Sequence, residues 1–235
     1  MISIAENLAA LTRRIHDAEQ HHGRRPGSVT LLAVSKGQPA AQIRAAHQAG
    51  VRHVGESYLQ EALPKQAELA DLDLCWHFIG SLQANKSRAV ASHFDWLHSL
   101  DRLQLAQRLD AQRPAELPPL NVLIQVGFEQ RTGRAGVAPD DLPRLAGQIA
   151  QLPRLRLRGL MTLPLPQQAC SPHPFVRLAD LLDRLNGAGH RLDTLSMGMS
   201  DDFEAAIAAG ATLIRIGSAL FGQRPTPFTA QTQYG

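Results

Sequence analysis

The sequence predicts an α/β protein, a single (βα)8 TIM-type barrel with an extra N-terminal helix. Three observations carry this expectation. Eight short apolar or β-branched runs recur along the chain, stretches with helical apolar spacing separate them, and 235 residues with 44% hydrophobic side chains fit one globular unit of that size. Repeated strand–helix alternation means parallel strands joined by right-handed crossovers. An open doubly wound sheet would show the same alternation with a strand or two fewer.

The chain opens on a helix over residues 3–22, because Ile4, Leu8, Leu11 and Ile15 recur on one face. Strands are expected at 29–34, 51–55, 74–79, 94–98, 122–126, 155–161, 194–197 and 212–216. Between them, helices are expected at 40–49, stopped by Gly50, and at 58–70, 85–92, 101–112, 140–151, 175–185 and 201–209, the last stopped by Gly210. Leu178, Leu181, Leu182 and Leu185 have the spacing of a helix laid on a sheet. The proline-rich stretches QRPAELPPLN and PLPQQACSPHP read as surface connections rather than domain boundaries. Residues 1–235 are therefore expected to form one domain, with 224–235 as a flexible tail.

Composition excludes several function classes. The net charge of +3 comes from 24 basic and 21 acidic residues without a block of like charge, so a nucleic-acid or membrane-binding patch is not expected. Cys75 and Cys170 are far apart and in no CxxC pattern, which suits a reducing compartment. The N-terminus lacks a basic region followed by an apolar core, and no apolar run approaches the ~20 residues of a membrane span, so a cytoplasmic protein is expected. His16, His21 and His22 lack a metal-ligand pattern, His77 and His98 read as satisfied barrel histidines, and no metal is expected. There is no Walker A or GxGxxG element.

In a barrel, polar residues at the C-terminal ends of strands carry functional weight. LLAVSKGQPA is an apolar run that ends on Lys36; Leu32, Val34 and Lys36 share one strand face, which aims the amine at the mouth. A snorkelling surface lysine is the ordinary alternative. Further strand ends hold GES (55–57), SMGMSDD (196–202) and RIGSALFG (215–222). Barrels often bind phosphate after strands seven and eight, and here Gly217 would admit a close backbone approach while Ser200 and Ser218 offer hydroxyls. Ser200 could instead cap the 201–209 helix, whose Asp201 and Asp202 would repel a phosphate placed over it. Arg215 alternates with Leu213 and Gly217 and should point inward below the phosphate turn. A lysine, a phosphate cradle and an arginine on three strand ends form a set suited to pyridoxal 5′-phosphate, with lysine as Schiff-base former.

The stretches AVSKGQP, GESYLQE, WHFIGSLQANK, HSLDR, GLMTLP, SMGMSDDFEAAIAAG and RIGSALFG, in this order over roughly 5–223, resemble the pyridoxal phosphate homeostasis protein family, related to the alanine racemase N-terminal domain. The resemblance implies a barrel that holds the cofactor on a strand-one lysine and acts in vitamin B6 and amino-acid homeostasis, without established turnover. It implies Lys36 as the Schiff-base lysine, Arg215 facing the pyridine nitrogen, and Ser200, Gly217 and Ser218 as phosphate contacts. Ser57 stands where the family usually has Asn, Ser218 where it often has Thr, Gly37-Gln38 where it has Thr-Lys, and Arg134 where a loop lysine is usual. A monomer handing cofactor to transient apo-enzyme partners is expected.

An amino-acid racemase and a Schiff-base aldolase are the competing classes. Racemisation needs an acid/base on each face of the substrate. The only tyrosines are Tyr58, at a helix start, and Tyr234, in the expected tail. The aldolase would use Lys36 and the phosphate turn but would be colourless as purified.

Overall fold

All eight apolar runs become strands: β1 (Thr30–Val34), β2 (His53–Glu56), β3 (Cys75–Phe78), β4 (Trp96–Leu100), β5 (Leu120–Gln125), β6 (Leu155–Met161), β7 (Thr194–Ser196) and β8 (Leu213–Ile216). They are seen in a computed structural model that describes residues 3–128, 136–163 and 173–222. Each strand lies parallel to the next, and β8 returns to β1 with Leu32 opposite Arg215 and Ala33 opposite Ile216. The sheet is therefore a closed barrel rather than an open doubly wound sheet.

The helices are α1 (Ile4–His21), α2 (Ala40–Gln48), α3 (Leu59–Glu68), α4 (Ser87–His93), α5 (Leu103–Gln112), α6 (Leu142–Ile149), α7 (Pro174–Gly187), α8 (Phe203–Ala208) and α9 (Ser218–Phe221). Ala33, Val54, Ile124 and Ile214 face outward into the layer between strands and helices, whereas Leu32 faces inward and packs over Gly55. The alternation follows from the two-residue period of a strand.

The added helix α1 begins with a capping box, in which Glu6 N–H donates to Ser3 Oγ and Ser3 N–H to the Glu6 carboxylate. Its buried Glu19 accepts the Gly27 and Val29 amides, both at 2.9 Å, which fixes the entry into β1. Asn7 Nδ2 donates to Leu220 O at 3.0 Å, tying α1 to α9 and so to the turn after β8. Among the described residues no helix is long and apolar enough to cross a membrane.

One expected boundary moves near the site. Helix α8 starts at Phe203 rather than 201, because the Asp202 carboxylate accepts the Met199 amide at 2.6 Å and holds residues 199–202 as a turn. Ser200 is therefore not the N-cap.

Candidate ligand-binding site

A cavity of about 530 Å³ opens at the C-terminal ends of the strands, within the usual range for small-molecule sites. All six residues expected at the site line it: Lys36, Ser57, Ser200, Arg215, Gly217 and Ser218. Ile79, Met161 and Leu163 supply apolar wall that sequence reasoning did not single out. Arg134 lies outside the described residues.

Lys36 is half-buried and sits two residues beyond β1 rather than at its last position. Its turn is held from below. Lys65 Nζ, on α3, donates to Ser35 O at 2.9 Å and to Glu56 Oε1 at 2.7 Å, while Ser35 Oγ donates to the same oxygen at 2.6 Å. Glu61 Oε2 accepts the Gly37 amide at 2.7 Å. Gly37 has φ +73°, a left-handed conformation that glycine adopts without strain. Backbone on both sides of Lys36 is thus fixed, and the amine has a fixed origin at the rim.

Burial pushes the Glu56 carboxyl above its ordinary range, against the bonds from Lys65 and Ser35 that favour its charge. Its Oε2 is buried without a hydrogen-bond partner among the described residues. Ser57 follows Glu56 at the rim, and a Cβ on Gly80 would lie 2.1 Å from the Ser57 carbonyl oxygen. The loop after β3 therefore presses directly on the loop after β2.

Arg215 is 4% exposed, on β8. Its Nη1 donates to Ser196 Oγ at 2.7 Å and its Nη2 to Thr162 O at 2.9 Å. Burial lowers its pKa to about 10, opposed by the charge of Asp202, so the guanidinium stays protonated at neutral pH. Two of its five N–H donors are used in this way, and the group borders the cavity.

The turn after β8 and the loop after β7 meet at the other side. Ser218 Oγ lies 3.4 Å from Ser200 Oγ. The amides of Ser200, Asp201, Ser218 and Ala219 have no backbone acceptor among the described residues. Asp202 is turned back onto Met199, and among the described residues only Asp201 brings a carboxylate to this cavity. The backbone of Gly217 has φ −113°, and a Cβ there would meet Val34 O at 3.5 Å, an ordinary contact. Among the described residues no atom crowds a side chain at this position. Two loops with N–H donors and hydroxyls, facing a lysine and an arginine across apolar wall, can hold a flat aromatic ring bearing a phosphate and an aldehyde.

Comparison with known proteins agrees with this architecture. The alanine racemase N-terminal domain model matches residues 7–225. A pyridoxal phosphate homeostasis protein of Pseudomonas aeruginosa is 59% identical over 226 residues, covering 95% of this chain and 97% of that protein. Its Escherichia coli counterpart is 50% identical over 229 residues, with 95% and 98% covered. The structure of PipY from Synechococcus elongatus, with PLP bound, superposes with a TM-score of 0.81 at 42% identity, covering 93% of this chain and all of that one. The class defined by fold and site is a racemase-type barrel with a lysine at its mouth. Within that class, the chain belongs to the pyridoxal phosphate homeostasis protein family.

Proposed function

We propose that this chain binds pyridoxal 5′-phosphate reversibly as a Schiff base on Lys36 and acts in intracellular vitamin B6 and amino-acid homeostasis, without catalytic turnover. The carrying observation is that Lys36, Arg215 and the Ser200, Gly217 and Ser218 loops border one cavity. The same cofactor is bound in PipY, and the relatives are named for its homeostasis.

In this reading the Lys36 amine condenses with the cofactor's aldehyde and one water leaves. The Ser200 and Ser218 hydroxyls and the loop amides bind the phosphate, Ser57 contacts the cofactor from the rim, and Arg215 faces the ring nitrogen. When bound, the cofactor supplies an aldehyde that captures amines and a ring that withdraws electrons. A charged guanidinium at the ring nitrogen keeps that nitrogen unprotonated and so weakens the electron withdrawal.

The racemase alternative needs a second acid/base beside the cavity. Among the described lining residues the ionisable side chains are Lys36, Asp201 and Arg215, and Tyr58 is not one of them. Asp201 directly follows Ser200, whose hydroxyl this reading assigns to the phosphate. We further propose a cytoplasmic monomer that passes its cofactor to transient apo-enzyme partners.

The test is the visible spectrum before and after borohydride reduction, with mass mapping of the adduct. A phosphopyridoxyl mass on Lys36 is expected. Lys36→Ala should abolish the reducible adduct while keeping weaker phosphate-mediated binding, and an unchanged Schiff-base spectrum in that variant overturns the assignment. Amino-acid racemisation assays on the loaded protein separate holder from enzyme.

A further inference from the structure

Beneath the cavity the barrel interior is crossed by a line of polar side chains. Arg215 Nη1 donates to Ser196 Oγ at 2.7 Å, and that oxygen lies 3.0 Å from His98 Nδ1. His98 Nε2 is 2.9 Å from His77 Nδ1, and His77 Nε2 is 3.0 Å from His53 Nδ1. His77 and His98 are fully buried. The line ends at the N-terminal mouth of the barrel, where a second cavity of about 350 Å³ is bordered by His53, His77, Thr30 and Trp96.

Strand register explains what gathers there. His53 on β2 stands opposite Cys75 on β3, and Cys75 and His77 share a strand face. One ring nitrogen of each of His53 and His77 and the Cys75 sulfur consequently lie within 4.8 Å of one another, with sulfur 3.4 Å and His53 Nδ1 3.0 Å from His77 Nε2. In a tetrahedral ion bound through two imidazoles and a thiolate, at ~2.05 Å and ~2.3 Å, the ligand atoms are separated by roughly 3.3 Å (N to N) and roughly 3.6 Å (N to S). The 3.0 Å and 3.4 Å contacts reach those values with shifts of a few tenths of an ångström.

We propose that His53, Cys75 and His77 form a site for a divalent ion of the zinc class at the lower mouth of the barrel, its fourth position open to water from the adjoining cavity. Two imidazoles and one sulfur select zinc-like ions over magnesium or calcium. The cavity provides the entry path. The Asp95 carboxylate acts on both His53 and Cys75 and adds negative charge beside the ion. Arg158, the one arginine or lysine bordering this cavity among the described residues, is already matched by Asp193 at 2.7 Å.

A thiol gives up its proton to bind the ion: the S–H bond breaks, an S–metal bond forms, one proton passes to solvent, and nothing is oxidised. His77 would bind through Nε2, leaving its Nδ1–H to donate to His98, a second-shell bond of the kind that orients ligand imidazoles.

The experiment is a cobalt(II) titration of the chelator-treated full chain carrying Cys170→Ser, which leaves Cys75 as the sole thiol. One equivalent should bind with a sulfur-to-cobalt charge-transfer band, tetrahedral d–d bands and release of about one proton. Cys75→Ser should lose the charge-transfer band, and His53→Gln should weaken binding at least tenfold while keeping it. Absence of the band at saturating cobalt, or its survival in Cys75→Ser, overturns the proposal. If Cys75→Ser does not fold, unchanged affinity in His53→Gln overturns it instead. Loading on Lys36 is read separately by borohydride reduction, so failure of the cofactor reading leaves this result standing.

Discussion

Gly217 illustrates how one residue's identity can be set by space beyond the protein. Since a Cβ there meets Val34 at an ordinary distance, Gly217→Ala is expected to change unfolding free energy by no more than about 0.5 kcal/mol. The methyl should nevertheless hold a phosphate away from the Ser218 amide, lowering pyridoxal phosphate affinity at least about tenfold, or 1.4 kcal/mol. Equilibrium dialysis and urea unfolding of one preparation check both halves; a large stability loss with unchanged affinity would contradict this account. That Lys36, Ser57, Ser200, Arg215, Gly217 and Ser218 gather at one cavity is legible in the sequence because each sits at or just past an apolar run, where a barrel places its C-terminal rim. The meeting of His53 and Cys75 is not, because what joins them is cross-strand register rather than spacing along the chain.

At the scale of elements, α3 acts as a brace for the turn after β1. Glu61 and Lys65 are four residues apart on this helix, the spacing of an ordinary i,i+4 pair. In the fold, Lys65 is nearly buried and reaches a completely buried Glu56. Lys65→Met is expected to destabilise by about 3–5 kcal/mol near neutrality, as removal of one partner of a buried pair does. Burial raises the Glu56 carboxyl, and loss of Lys65 raises it further, so the deficit should shrink as pH falls and Glu56 takes up a proton. Urea midpoints of wild type and variant at neutral and mildly acidic pH decide this; a pH-independent deficit would point to lost packing instead. Helix α8 shows why element boundaries escape sequence reading: SDDFEAA looks like a capped helix start, yet a side chain-to-backbone bond from Asp202 delays the helix to Phe203.

At the scale of the whole molecule, eight apolar runs with intervening helices leave closure of the sheet undecided, and the pairing of β8 with β1 decides it. The closed interior governs acid sensitivity. Burial, with like-charge neighbours, holds His77 and His98 well below their ordinary range, and burial lowers His53 as well. An unfolded histidine titrates near ~6.5, so above that pH both states are neutral and this stabilisation is fully present. Below it the unfolded chain binds protons that the native state refuses, and stability should fall as pH drops. Glu56, whose carboxyl is raised, has the opposite sign. Measured with chelator present, the urea midpoint should decline from neutrality toward about pH 5.5, less steeply in His53→Gln. The same histidines have a consequence for how the two mouths of the barrel are related. A neutral imidazole carries one N–H, so if His77 donates toward His98 it must accept on its other nitrogen, and the reverse holds equally. From Ser196 through His98 and His77 to His53 the hydrogens therefore all point one way or all point the other, while the Arg215 N–H donates to Ser196 in either sense. The row is a two-position register between Ser196 and the lower mouth, and its sense can reverse without displacing the backbone.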